Sequence, residues 1–162
     1  ALKVLQMIFS YEYLWIQIRV KGGAYGCMCS FSDQGDSMFV TYRDPNLSES
    51  YKVYDEAADY VADFDADDRD MKKYIIGTIG SMDMPMEAVD MGARSFHAYF
   101  LGKTEADLQK VRDQVLSCTQ EDIRALAPIV KAVVEAGNRC CIGNEEKIDQ
   151  NKEYFDEVKH VL

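Results

Sequence analysis

The chain has 162 residues, 48% of them hydrophobic, and a formal net charge of −10 from 28 acidic against 18 basic side chains. That is enough apolar material for one domain with a real core, while the acidity argues against nucleic acid as a partner and no run of about eighteen uncharged apolar residues suggests a membrane span. Five cysteines, odd in number and without C-x-x-C spacing, speak against a disulfide framework or a structural zinc site and for a reducing compartment, the cytoplasm, with an organelle lumen as the alternative.

The chain opens at Ala1 inside a helical pattern, without a capping residue, a signal peptide or an initiator methionine, which reads as a boundary inside a longer protein. Val4, Ile8, Tyr11, Trp15 and Ile18 fall at helical spacing and Leu5, Phe9, Leu14 and Ile16 fill the flanks, so this helix is expected to be buried nearly all round. Gly22 and Gly23 stop it; Gly22 is expected to take the left-handed conformation, with Arg19 and Lys21 in the last turn. The period then switches to two. Tyr25, Cys27, Cys29 and Phe31 share one strand face, and strands over 24–32 and 37–43 flank the turn-rich Asp33-Gln34-Gly35-Asp36, a hairpin.

Asp44-Pro45-Asn46 ends the hairpin, and 47–64 reads as one amphipathic helix with Asn46 or Ser48 as cap and Tyr51, Tyr54, Ala58 and Val61 on its apolar face. Its polar side merges into an acidic run, Asp55 to Asp70, read as a solvated face that could also draw in basic peptides. A stripe from Met71 to Met82 predicts a helix in which Gly77 and Gly80 allow close packing. Pro85 suits a first helical position, after which Met86, Val89, Ala93, Phe96 and Phe100 form a contact face ending at Gly102. Thr104 with Asp107 and Thr119 with Asp122 resemble capping boxes, and Pro128 should split the segment that follows. Gly137 closes the helical block, Arg139 to Ile142 reads as a short buried strand, and 145–161 as a last helix with contacts at Ile148, Tyr154, Phe155 and Val158. The fold class is α+β, a small antiparallel sheet covered by several helices, in a single domain spanning 1–162.

Catalytic chemistry is sparse. The histidines, His97 and His160, are two only, there is no H-x-x-E-H, and a zinc peptidase needs three protein ligands and a carboxylate base. Gly22-Gly23-Ala24-Tyr25-Gly26 follows a helix and opens a strand, the reverse of a phosphate loop. What remains is a cation and a phenol, Arg19 and Tyr25, on either side of a glycine turn. They can be read as a helix cap and an ordinary strand aromatic, or as a functional pair.

Arg19-Val20-Lys21-Gly22-Gly23-Ala24-Tyr25-Gly26 resembles the arginine-and-tyrosine segment in the C-terminal half of pitrilysin/insulinase-type zinc metallopeptidases, in the presequence-protease branch. Ser32-Asp33-Gln34-Gly35, Tyr42-Arg43-Asp44-Pro45-Asn46-Leu47, Gly77-Thr78-Ile79-Gly80 and Cys141-Ile142-Gly143-Asn144 extend the resemblance over essentially the whole chain. It implies a C-terminal domain that has lost a first strand before Ala1, that encloses a peptide-degrading chamber with an N-terminal zinc-binding half of the same polypeptide, and that binds no zinc itself. It further implies supporting catalytic roles for Tyr25 and Arg19 and substrate binding by Arg19, Gly22, Gly23 and Tyr25: a tyrosine hydroxyl can meet the negative charge that grows on a peptide carbonyl under attack, and a guanidinium can hold neighbouring carbonyls. On this reading the 162 residues alone are inactive. The competing reading is a noncatalytic scaffold or peptide-binding module of the same fold, taking peptide on an open strand edge.

Overall fold

The computed structural model describes residues 1–32 and 34–160; the hairpin-loop residue Asp33 and the end of the last expected helix at Val161 lie outside that set. The first helix sets the frame. α1 (Leu2–Ile8) runs on into two π-wound stretches, Phe9–Tyr13 and Trp15–Lys21. In π winding each carbonyl is paired five residues on rather than four, so the inward face advances by wider steps. The buried residues follow it: Val4, Leu5, Ile8 and Phe9, then Tyr13, Leu14 and Ile18. The stripe expected through Tyr11 and Trp15 is therefore wrong after Phe9. Both side chains are exposed, as are Ile16 and Val20, and the helix has an open apolar flank.

Phe9 is the centre of the core. It is fully buried, and the rings of Tyr13, Phe31, Phe39 and Tyr60 lie within 6.3 Å of its own. The hairpin supplies two of these. β1 (Gly26–Phe31) and β2 (Ser37–Tyr42) pair antiparallel with Cys29 opposite Phe39 and Met28 opposite Val40. Period-two alternation then turns Cys29, Phe31 and Phe39 onto the helix and leaves Met28, Met38 and Tyr42 exposed on an outer face.

The helix expected over 47–64 is two, α2 (Leu47–Asp55) and α3 (Ala57–Ala62), with Ala57, Ala58 and Val61 buried. The run 68–82 is one helix, α4 (Asp68–Met82), whose first turn is capped by Asp67 accepting from the Asp70 amide at 2.8 Å. A Cβ on Gly77 would meet Met7 Sδ at 3.3 Å, so close packing against α1 holds there; Gly80 faces open space and has no such role. α5 (Ala88–Phe100) starts three residues beyond Pro85 and buries none of its side chains; among the described residues no element covers the face carrying Val89, Phe96 and Phe100. α6 (Glu105–Leu116) and α7 (Gln120–Arg124) begin with the reciprocal hydrogen bonds of complete capping boxes at Thr104–Asp107 and Thr119–Asp122, with Asp in the place usual for Glu. Pro128 lies in the first turn of α8 (Ala127–Glu135), where its missing N–H costs no helical bond.

Beyond Gly137, which closes α8 at φ +68°, two expectations fail. Arg139 to Ile142 forms no strand: Ile142 is 88% exposed and Cys140 is open. The segment is held by its cation instead, since the Arg139 guanidinium lies 5.2 Å from the Tyr51 ring centre and 5.3 Å from that of Tyr154, with Asp55 Oδ1 at 3.5 Å. The long last helix shrinks to α9 (Glu145–Asp149) and a 3₁₀ turn at Lys152–Tyr154, after which Tyr154 and Phe155 pack on Tyr51. Among the described residues the sheet has two strands, the helices cover its inner side, and the architecture is α+β. No helix among them is long and apolar enough to cross a membrane.

Candidate functional site

The Gly22-Gly23 turn is built from backbone bonds. The amides of Gly22, Gly23 and Ala24 donate to the carbonyls of Gln17, Arg19 and Ile18 at 3.1, 3.0 and 3.2 Å. The left-handed residue is Gly23, at φ +79°, and not Gly22, which keeps helical angles at φ −81°. Gly22 is needed for a different reason. A Cβ there would sit 2.5 Å from the Ile18 carbonyl oxygen, because the π-wound end folds its backbone back over that position.

The turn is clamped from the far end of the hairpin. The Asn46 side-chain amide donates to the Gly22 carbonyl, so it does not cap α2. Asp44 holds Asn46 in place: its Oδ1 accepts from the Asn46 amide at 3.0 Å and its Oδ2 from the Ser50 hydroxyl at 2.5 Å. Asp44-Pro45-Asn46, expected to end the hairpin and offer Asn46 as a helix cap, thus fixes the chain on which Arg19 and Tyr25 stand.

Arg19 is exposed and its guanidinium stacks 4.2 Å from the centre of the Trp15 ring, four residues back on the same helical segment. Among the described residues its side chain makes no hydrogen bond or ion pair, so it does not cap the helix carbonyls. Tyr25 is 64% exposed. Its amide donates to the Arg43 carbonyl at 3.4 Å, its ring meets Tyr42 edge-on at 5.9 Å, and its hydroxyl has no partner among the described residues. No direct bond joins Arg19 to Tyr25. The charge of Arg19 nevertheless reaches the same corner: burial raises the Cys27 thiol pKa, and Arg19 partly offsets that rise.

Sequence reasoning placed Tyr42 and Arg43 in the second strand and in a stretch of family resemblance but gave them no part in the site. Both flank Tyr25, with the Arg43 guanidinium 5.8 Å from the Tyr25 ring centre and 5.3 Å from that of Tyr42. The signal was their place at the end of the second strand, where antiparallel pairing returns the chain to Gly26. A cleft of about 1010 Å³ between α1, α4, α5 and α6 is lined by Met7, Met86, His97 and Arg112 among others, and neither Arg19 nor Tyr25 borders it.

The residues present do not fit a zinc ion. Among the described residues no three His, Cys, Asp or Glu side chains group so as to hold a metal. His97 is exposed on α5, and His160 Nδ1 lies 3.7 Å from Glu145. Of the acidic run from Asp55 to Asp70, the side chains as far as Asp68 are exposed, as a solvated face requires, and Asp70 is half-buried.

Residues 1–144 match the family described as the PreP C-terminal domain. The chain belongs to that family. It is 41% identical over 162 residues to Protein HypA of Clostridium perfringens, covering 100% of this chain and 17% of the relative. It is 33% identical over 163 residues to the chloroplastic/mitochondrial Presequence protease 1 of Arabidopsis thaliana, covering 98% of this chain and 15% of that protein. With the mitochondrial presequence protease of Aspergillus fumigatus it shares 34% identity over 148 residues, 90% of this chain and 13% of the relative. The chain thus spans less than a fifth of the length of these relatives.

Proposed function

We propose that this chain is the C-terminal substrate-binding and chamber-forming domain of a zinc-dependent metalloendopeptidase that degrades short unfolded peptides. The observation that carries the reading is the corner itself, in a chain of the PreP C-terminal domain family: one clamped turn separates an exposed phenol from a guanidinium, and among the described residues neither has a hydrogen-bond partner. Tyr25 donates its hydroxyl to the carbonyl oxygen of the peptide under attack, where negative charge grows. Arg19, its plane set by Trp15, offers its fork to carbonyls next to the cleaved bond. Gly22 and Gly23 allow backbone to approach backbone there. Zinc belongs to the N-terminal half of the same polypeptide and supplies the activated water; this chain alone holds no zinc and cleaves nothing. The uncovered apolar surfaces of the outer sheet face and of α5 favour that half as a partner, and neither nucleic acid nor membrane is needed. The organelle names of two relatives favour an organelle lumen over the cytoplasm.

The test is made in the complete enzyme. Tyr25→Phe keeps the ring, so it should fold normally and lose kcat by roughly 10²-fold, the scale of one oxyanion donor, about 2.7 kcal/mol. Arg19→Ala should raise KM, with partial rescue in Arg19→Lys. A Tyr25→Phe enzyme within about threefold of wild-type kcat, far below that hundredfold scale, would refute the role of the hydroxyl. The second reading, a noncatalytic peptide-binding module, draws on the hairpin's two open edges among the described residues. It requires peptide binding that survives Tyr25→Phe, and an upstream half without H-x-x-E-H.

A further inference from the structure

Arg43 is the one non-glycine residue among those described with positive φ, at +48°, a left-handed conformation in which Gly, Asn or Asp is favoured over a long side chain. Strain of this kind persists only where surrounding structure holds it. Here the holders are visible. The next residue, Asp44, is fastened by the Asn46 amide and the Ser50 hydroxyl, and the preceding residue, Tyr42, is the last of β2, paired with Gly26. The Arg43 carbonyl is itself bonded to the Tyr25 amide.

The strained angle has a geometric result. Antiparallel register sets residue 43 across from Tyr25, one step beyond the Gly26–Tyr42 pair, and strand alternation would turn its side chain away from Tyr42; with the left-handed turn the guanidinium lies near both rings, 5.3 Å from Tyr42 and 5.8 Å from Tyr25. The carboxylate of Asp44, the closest in sequence, is engaged elsewhere, and among the described residues Arg43 has no ion pair. In a chain of net charge −10 this cation is directed at two aromatic rings that also touch each other edge-on. Such contacts are attractive through the ring quadrupoles.

We propose that Arg43 is a positioning residue for Tyr25: held in a strained conformation by the Asp44–Asn46 clamp, it locks the Tyr25 and Tyr42 rings together and so aims the Tyr25 hydroxyl. This rests on the role given to Tyr25 above. Arg43 touches no substrate in this scheme and acts through the ring alone.

Kinetics and melting of four variants of the complete enzyme decide it: Arg43→Gly, Arg43→Lys, Tyr25→Phe, and Arg43→Gly combined with Tyr25→Phe. Glycine fits φ +48°, so Arg43→Gly should fold with an unchanged or higher Tm, yet lose kcat by about fivefold at unchanged KM, the upper scale of an exposed cation–ring contact. Arg43→Lys keeps a cation and should stay within about twofold, since an ammonium retains part of the same contact. In the Tyr25→Phe background Arg43→Gly should cost nothing more, because the hydroxyl it aims is gone. Arg43→Gly with wild-type kcat, an equal loss in the Tyr25→Phe background, or a loss that tracks a lowered Tm would each overturn the proposal while leaving Tyr25 its role. Wild-type kcat in Tyr25→Phe would remove both.

Discussion

Gly22→Ala is a local test of why the site has its shape. The added methyl carbon would lie 2.5 Å from the Ile18 carbonyl oxygen, 3.2 Å from its carbon and 3.3 Å from the Gln17 oxygen. All three are backbone atoms, so no rotamer change relieves the clash. Relief requires shifting the Ile18 carbonyl, which accepts from the Ala24 amide, or the Gly22 carbonyl, which accepts from Asn46. Overpacking of this kind costs about 1–3 kcal/mol and each hydrogen bond lost about 1 more, against roughly 0.4–1 recovered because alanine restricts the unfolded chain. The net is about 2 kcal/mol, or roughly thirtyfold in the local opening equilibrium. Hydrogen exchange followed by mass spectrometry on the complete protein should therefore show the amides of residues 22–24 exchanging some thirtyfold faster, on the scale at which 1.4 kcal/mol is tenfold. Gly23 faces handedness and not crowding, with Pro45 Cγ no closer than 3.9 Å to an added Cβ, so Gly23→Asn should be milder than Gly22→Asn. Unchanged protection in Gly22→Ala, or the reverse ranking of the two asparagine variants, would refute the crowding argument.

Two further outcomes follow from burial and packing. Gly80 lies inside α4 with open space around its Cβ position, so Gly80→Ala should stabilise the helix by roughly 1 kcal/mol, seen as slower exchange across α4; destabilisation would mean a contact absent from this packing. Burial, with Cys27 nearby, pushes the Cys29 thiol pKa up to about 12. At pH 8 iodoacetamide should modify exposed Cys140 first and leave Cys29 and Cys118 untouched until the protein unfolds, since the thiolate is the nucleophile; early labelling of Cys29 would contradict its burial.

Local chemistry was legible wherever the physical cause is local. The two capping boxes need only four consecutive residues each, Gly102 and Gly137 end helices by their own φ freedom, and the hairpin follows from alternation in Gly26–Phe31 and Ser37–Tyr42. The segment that carries the candidate site, Arg19 to Gly26, could be picked out by its resemblance to a known family, because a motif is a linear feature of the chain; its residue types alone left a helix cap and a functional pair both open. Tertiary structure decided the rest. Whether Tyr11 or Tyr13 faces inward depends on α or π winding, which packing against the hairpin selects and apolar content alone does not. An amphipathic α5 shows an apolar face but not what covers it, and a four-residue apolar segment such as Arg139–Ile142 becomes a strand only beside a free strand edge. Gly22 and Gly23 exchange their expected reasons because crowding by Ile18 is a distance across a turn, not a property of glycine. The same holds for Arg43: its place against Tyr25 arises from the return of β2 to β1 and from the clamp at Asp44 and Asn46, contacts between residues some twenty positions apart that no local pattern encodes.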